Sequence, residues 1–396
     1  MRLVGVVCEY NPFHLGHAWH LAETRRLTGA DAILCVMSTA FTQRGEAALL
    51  SPVARAEMAL RTGADAVFAL PALHAVRDAE HFALSGVSLL AALGCEMISF
   101  GAECADPGRL SALAEQMEQP SAASLQALQA ALAAGQPHAA AMRTAMEAAL
   151  PGAEAILAQP NNQLAVAYLR AIDRLHLKMK PVVIPRTSAH AAEGLSAGTL
   201  PSAGAIRSAV RRGDWQSVQS ALPEDSFTLL RRELLAGNMP DPRILDAAAV
   251  YRLRTMTEAE WRSLPGLSEG IENRLRKAAE EHTSIEAIVQ AVATRRYPAA
   301  RFRRMVAHAL LGITQADCDQ EPLPDSALLL GLRTDQPGLT ACLKQASVPV
   351  CTRPSDPALR GEAWLKAEQT AMDVWALAAS LPQGLLFTQG IAAVKD

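Results

Sequence analysis

Val6-Val7-Cys8-Glu9-Tyr10-Asn11-Pro12-Phe13-His14-Leu15-Gly16-His17 decides the reading of this chain. The apolar run that begins at Leu3 reads as a buried strand and breaks at Asn11-Pro12. A glycine between two histidines follows, and then a helical pattern carrying Trp19, Leu21 and Leu27. Strand, tight turn and helix start is where a βα unit turns free backbone N–H groups and a positive dipole end toward an anion. Two imidazoles add side-chain donors for phosphate oxygens, and Gly16 lets a nucleotide approach the backbone closely. Two plainer readings compete. The histidines can be ordinary polar residues of a helix start. His14, His17 and His20 can also suggest zinc, but steps of three drift around a helix, and no cysteine pair or H-E-x-x-H accompanies them. Their place after the first strand of an alternating pattern favours phosphate, with no metal assigned to these side chains.

Working outward, an echo sets the architecture. Thr28-Gly29-Ala30-Asp31-Ala32 recurs as Thr62-Gly63-Ala64-Asp65-Ala66, and Leu93-Gly94-Cys95-Glu96 is a looser copy. Each ends a helical pattern with glycine, the natural left-handed helix cap, and opens an apolar run, at 33–37, 67–70 and 97–100. A period a little over thirty residues containing an extended run fits βα units rather than a helical solenoid. The expected fold class is therefore α/β, a Rossmann-like doubly wound parallel sheet. Its ligands belong at the carboxyl ends of the strands, where Glu9-Tyr10-Asn11, Ser38-Thr39-Ala40 and Gly101 fall. Residues 103–150 are Ala- and Gln-rich, and they read as a helical insertion. Pro160-Asn161-Asn162 then starts a helix, with Asn161 or Asn162 its default cap. Residues 181–184 make a fifth strand, and another helix begins after Pro201. The expected division is 1–218, a nucleotidyltransferase-like ATP-binding domain, and 219–396, mainly α-helical. Short strands are possible at 327–332 and 348–351.

Composition bounds the function. The 396 residues are 50% hydrophobic but only 4% aromatic, which points to small-residue helix packing. A net charge of −3 gives no global basic character, so any nucleic-acid surface is local. The first lysine is Lys178, so phosphates in the N-terminal half must be met by Arg, His and backbone N–H groups. Seven cysteines form no C-x-x-C pair, and an odd number argues against a disulfide framework. No leader precedes the first strand and no apolar run approaches 18 residues, so the expectation is a soluble, cytoplasmic protein without membrane contact.

The resemblance becomes specific at Val7 to His20, Gln43-Arg44-Gly45-Glu46, Ala54-Arg55-Ala56-Glu57-Met58-Ala59-Leu60, Pro160-Asn161-Asn162 and Ser202-Ala203-Gly204-Ala205-Ile206-Arg207. It continues at Glu269-Gly270-Ile271-Glu272-Asn273-Arg274 and Thr294-Arg295-Arg296-Tyr297. His14-Leu15-Gly16-His17 is the HxGH signature of a nucleotidyltransferase superfamily, and the ordered set resembles the tRNA(Met) cytidine acetate ligase family. The resemblance implies that ATP and acetate form acetyl-adenylate, whose acetyl group passes to N4 of the wobble cytidine of elongator tRNA(Met). His14 and His17 are the expected triphosphate ligands, with His17 nearest the α-phosphate. Arg207, in the superfamily's second phosphate motif, completes the catalytic set. Val7, Cys8, Glu9, Tyr10, Asn11, Pro12, Phe13, Gly16 and His20 are expected around ATP. So is Gly101, where adenosine would pack on backbone. Ser202 is expected to cap its helix and touch phosphate. Asn161, Asn162 and Arg186 are placed at ATP by resemblance alone. Gln43, Arg44 and Glu46 follow the second strand on a loop at the binding edge and are expected to line the acetate or cytidine side, while Arg55 and Glu57 read as part of a helix face. Mg²⁺ is expected with ATP, with no carboxylate cluster to reveal its ligands.

Three departures from the family pattern stand out. Gly204 stands where Thr or Ser is usual, Thr39-Ala40 replaces a common Gly-Asn, and Ala189-His190 replaces a Tyr-His pair. The RNA expectation rests on residues 287–316, which contain no acid. There Arg295, Arg296, Arg301, Arg303 and Arg304 surround Tyr297 and Phe302, and such a stretch can grip phosphates and stack an unpaired base. Two other functions fit the same scaffold: a small-molecule adenylyltransferase, and a non-catalytic RNA-binding protein.

Overall fold

The computed structural model describes residues 1–186, 202–267, 270–294, 297–359 and 362–395. Its strands are β1 (Leu3–Cys8), β2 (Ala32–Ser38), β3 (Ala66–Leu70), β4 (Met97–Ala102), β5 (Lys180–Pro185), β6 (Ala327–Arg333), β7 (Val350–Cys351) and β8 (Ala392–Val394). They form one sheet in the order β5-β4-β1-β2-β3-β6-β7, with β8 beside β6. β1 to β5 pair in parallel, and β6 runs antiparallel to β3. The expected α/β architecture is present. β2 and β3 are buried along their whole length, as a sheet covered on both faces requires. Successive strands step from β1 to β3 in one direction, and β4 returns to the other side of β1. The crevice outside the carboxyl ends of β1 and β4 is thus the topological switch point where such sheets bind ligands.

Residues 103–150 are helical as expected, as Pro107–Glu118, Ala122–Ala133 and His138–Ala149. The helix Pro160–Arg174 differs from expectation at its start. Gln159 is the N-cap and Pro160 the first helical residue, which suits a ring with fixed φ and no N–H.

The C-terminal part also differs from the expected division. Residues 249–309 carry a helical core of their own around Leu253, Trp261, Leu275, Ile288 and Phe302. Residues 206–230 and 364–394 instead share the core of the first strands. β6 covers the free edge of β3, and a run of leucines buried on both faces has no better place than the inside of a sheet. Gly331 permits the join, because a Cβ there would come within 2.7 Å of the Ala392 carbonyl on β8. The helix Glu362–Ala378 closes over the sheet, and Trp375 donates its indole N–H to the Ala48 carbonyl at 2.7 Å.

Candidate active site

At the end of β1 the chain turns through Tyr10, whose φ is 45°, and a cis Asn11–Pro12 peptide. It then enters the helix Leu15–Thr28, whose N-cap is His14. The Gly16 N–H donates to His14 Nδ1 at 3.1 Å, and the His14 N–H donates to His17 Nδ1 at 3.2 Å. This is a reciprocal capping box with two imidazoles in place of the usual hydroxyl and carboxylate. Each ring accepts a backbone N–H hydrogen bond at Nδ1, so each is neutral with its own proton on Nε2. The rings stack at 3.7 Å. Burial, and then the charge of Arg186, brings His14 down to about 4. Burial followed by His14, His20 and Arg186 lowers His17 well below its ordinary value. His20, hydrogen-bonded to Ser99 at 3.1 Å, is also lowered to about 4, by burial and then Arg186.

These shifts fix a pH dependence. In the unfolded chain the rings bind protons near pH 6.5, but in the fold His14 and His20 stay neutral until about 4. The unfolded state therefore holds more protons inside that window, and stability is lost as pH falls from 6.5 toward 4. The melting temperature is expected to drop across this range, with a shallower drop in His20→Gln. An unchanged slope in that variant would count against the assignment.

Arg186 follows β5, and its stem lies over Gly101, where a Cβ would come within 3.0 Å of the arginine Cδ. The bare face of Gly101, expected to receive adenosine, is thus covered by this side chain. Arg207, from the helix Ala203–Arg212, reaches back to the same edge. It donates to the Asn11 carbonyl at 2.9 Å and pairs with Glu46 at 2.7 Å. Ser202 caps that helix through the Ala205 N–H, and its hydroxyl is exposed. Cys8, Tyr10 and Phe13 put their side chains in the core, so of the expected nucleotide stretch they offer backbone alone. Half-buried Val7 packs on Gly86, and Pro12 is buried. Asn11 Oδ1 accepts from the Leu49 N–H, while its buried Nδ2 has no partner among the described residues.

Asn162 is not left for a nucleotide. Its Oδ1 accepts from the Cys104 N–H at 2.8 Å, and its Nδ2 donates to the Ile156 carbonyl at 3.0 Å. Asn161 donates to Glu103, whose second oxygen accepts the Asn162 N–H. Neither asparagine is the cap. Glu103 instead places an anion at the helix N-terminus, where the dipole favours it. Its position right after β4 was the sequence signal for it.

Arg55 departs most from its sequence reading. It faces the core, fully buried, and binds the carbonyls of Glu9 (2.6 Å), Ser38 (3.0 Å), Thr39 and Leu50 (3.1 Å). Burial lowers its guanidinium to about 10. Next to it Glu368, from the C-terminal helix, accepts from Thr39 and from the Ala72 N–H, both at 2.8 Å. Burial raises that carboxyl to about 7. On the other side Glu9 accepts the Gln43 N–H at 2.6 Å, and burial raises it too.

Of the arginines expected at RNA, Arg295 and Arg296 lie outside the described residues. Arg301 donates to the Gly266 carbonyl and lies over the Tyr297 ring at 5.1 Å. Arg303 pairs with Glu286. Phe302, expected to stack on a base, is fully buried in the helical core, because its position on the helix Ala299–Leu311 faces inward. Among the described residues no group of three or more His, Cys, Asp or Glu side chains gathers to hold a metal.

A mostly parallel sheet whose switch point holds two neutral imidazoles at a helix N-terminus, with the charge of Arg186 acting on them and Arg207 bound to the turn before them, has the features of a nucleotidyl transferase. The family described as HIGH Nucleotidyl Transferase matches residues 1–384. The tRNA(Met) cytidine acetate ligase of Acetivibrio thermocellus is 32% identical across 99% of this chain and 99% of its own. The ligase of the same name from a Geobacillus species is 33% identical across 90% of each. The crystal structure of Thermotoga maritima TmcAL bound with alpha-thio ATP has a TM-score of 0.90 and 27% identity, with both chains covered completely. The chain belongs to the tRNA(Met) cytidine acetate ligase family of HIGH nucleotidyl transferases.

Proposed function

We propose that this protein activates free acetate with ATP as acetyl-adenylate, then transfers the acetyl group to N4 of the wobble cytidine of elongator tRNA(Met). AMP and pyrophosphate are released. The observation that carries the reading is the reciprocal imidazole cap. It fixes both rings with Nε2–H as a neutral donor, at a helix N-terminus, beside two arginines.

A carboxylate oxygen of acetate attacks the α-phosphorus, forming a P–O bond as the bond to pyrophosphate breaks. Negative charge grows on the phosphate oxygens and the leaving group. Fixed donors aimed at that charge supply the stabilisation, because they need no reorganisation at the moment of reaction. His17 serves the α-phosphate and His14 its neighbour. Arg207 takes the β/γ-phosphates, exchanging its Glu46 partner for a phosphate oxygen. Arg186, whose charge acts on all three histidines, faces the nucleotide. Asn161 remains a candidate nucleotide contact if Glu103 releases it. Mg²⁺ would ride on the triphosphate and offset its charge, since no protein cage is evident among the described residues. The sheet part, with residues 206–230 and 364–394 packed on it, holds ATP. The helical unit of about 249–309, to which Arg295, Arg296 and Arg304 belong, faces the RNA. No helix among the described residues is long and apolar enough to cross a membrane, and we place the protein in the cytoplasm with its RNA substrate.

The test is pyrophosphate–ATP exchange by the purified protein without RNA. Acetate-dependent exchange is expected. Its absence, with or without added tRNA, overturns the reading. Exchange that needs a phosphorylated acceptor instead would favour a small-molecule adenylyltransferase.

A further inference from the structure

Most arginines at the junction of the helical unit and the carboxyl edge of the sheet are committed, but three are not. Arg44, Arg77 and Arg304 make no ion pair and no side-chain hydrogen bond with any described residue. Arg44 is exposed, and Arg77 and Arg304 are half-buried.

A close approach of two backbones brings the segments that carry these three side by side. The 42–46 turn, which follows β2, is closed by the Thr42 N–H on the Glu46 carbonyl and the Gly45 N–H on the Thr42 carbonyl. Gly45 has φ 77°, and a Cβ there would meet the Arg303 carbonyl at 2.7 Å and the Arg304 nitrogen at 2.9 Å. The turn therefore lies directly on the backbone of the helix Ala299–Leu311. Inside the turn, the Gln43 side chain donates to the Arg77 carbonyl at 2.8 Å. The charges of Arg77 and Arg304 both act on buried His308, and Arg44 acts on Glu9.

No described carboxylate lies in ion-pair contact with the three guanidiniums, although Asp78 acts on Arg304 and Arg44 on Glu9 through space. Asp78 lies beside Arg304, but its carboxylate is held by the His81 ring and N–H. Glu46 is spent on Arg207, and Glu9 takes the Gln43 N–H. Half-removing a guanidinium from water with no carboxylate in contact costs free energy, which an incoming anion offsets. Arg is also the side chain that grips a phosphate with two parallel hydrogen bonds.

We infer that Arg44, Arg77 and Arg304 form one seat for a backbone phosphate of the RNA, beside the nucleotide being acetylated. The RNA then enters across the 42–46 turn, from the helical unit to the imidazole cap. The seat joins two halves of the chain and uses two arginines outside the basic stretch at 287–316. It rests on the reading that the acceptor is RNA.

The experiment measures binding of an unmodified elongator tRNA(Met) transcript over a range of KCl, together with acetate-dependent exchange in the absence of RNA. In the Arg44→Ala/Arg77→Ala variant, affinity is expected to fall on the order of tenfold or more, because charge-assisted hydrogen bonds to phosphate are removed. The slope of log affinity against log salt becomes shallower by about 0.7–0.9 for each phosphate that is no longer neutralised. Exchange stays at the wild-type rate, and Arg77→Lys recovers most of the salt slope. Unchanged affinity and slope would overturn the seat. So would a parallel loss of exchange, which assigns these charges to the triphosphate. If the double variant melts early, Arg44→Ala alone, at an exposed position, decides the matter by the same slope. Wild-type protein that exchanges pyrophosphate but binds no RNA overturns the RNA reading itself, and so is distinct from failure of the seat.

Discussion

Replacing His17 with alanine is expected to lower acetate-dependent pyrophosphate exchange by about 10²–10³-fold, the usual cost of one preorganised donor at a developing charge. Two losses combine. The Nε2–H donor disappears, and the His14 N–H loses its acceptor at His17 Nδ1. His14 then keeps its bond from Gly16 but loses the stacked ring that holds its own orientation. The same ring packs against Tyr10 at 4.8 Å and Phe13 at 5.5 Å, so some stability goes with it. His17→Asn separates the effects, because a short amide can still accept the cap hydrogen bond but cannot reach as far as imidazole Nε2. Melting temperature should therefore recover in His17→Asn while exchange does not. Wild-type exchange in either variant would remove His17 from the phosphate site.

The separate fates of the sequence readings have a physical pattern. The helix start at His14–His17 was legible because strand, turn and helix follow one another locally, while the reciprocal imidazole cap appears only in the fold. The strands β2 to β4 were legible for a similar local reason: each is an apolar run opened by a helix that ends near a glycine, at Gly29, Gly63 and Gly94. What was hidden depends on partners far apart in the chain. Glu368 meets Thr39 across 329 residues, and no local pattern marks it among the other acids of its helix. β6 is visible as a run of leucines, but its antiparallel place beside β3 is set by which sheet edge is free. Phe302 and Arg303 are adjacent in sequence and point opposite ways, one into a core and one to Glu286. Charge density along the chain could not tell them apart. Asn162 shows the converse, a motif residue whose polar atoms are all consumed by backbone.

Arg55→Ala is expected to destabilise the fold by about 3–5 kcal/mol, the range for breaking a buried charged network. Its guanidinium spans the carbonyls of Glu9 on one strand end, Ser38 and Thr39 on the next, and Leu50 at the start of the following helix. Removing it leaves buried carbonyls without donors and a cavity of arginine size. It also strips Glu368 of the nearby positive charge that favours its ionised form. Arg55→Lys is not a rescue, since one ammonium cannot reproduce a planar fork that reaches four acceptors. Denaturant unfolding checks this, and a loss below about 1 kcal/mol would show that the carbonyls find other donors. The consequence for activity follows from the same geometry. The carbonyls of Glu9 and Thr39 lie where β1 and β2 diverge, and Asn11, which receives Arg207, is two residues beyond Glu9. Any Arg55 variant that still folds should therefore lose exchange at temperatures well below its melting point. The residue that holds the two strand ends together sets the position of the turn on which the imidazoles stand.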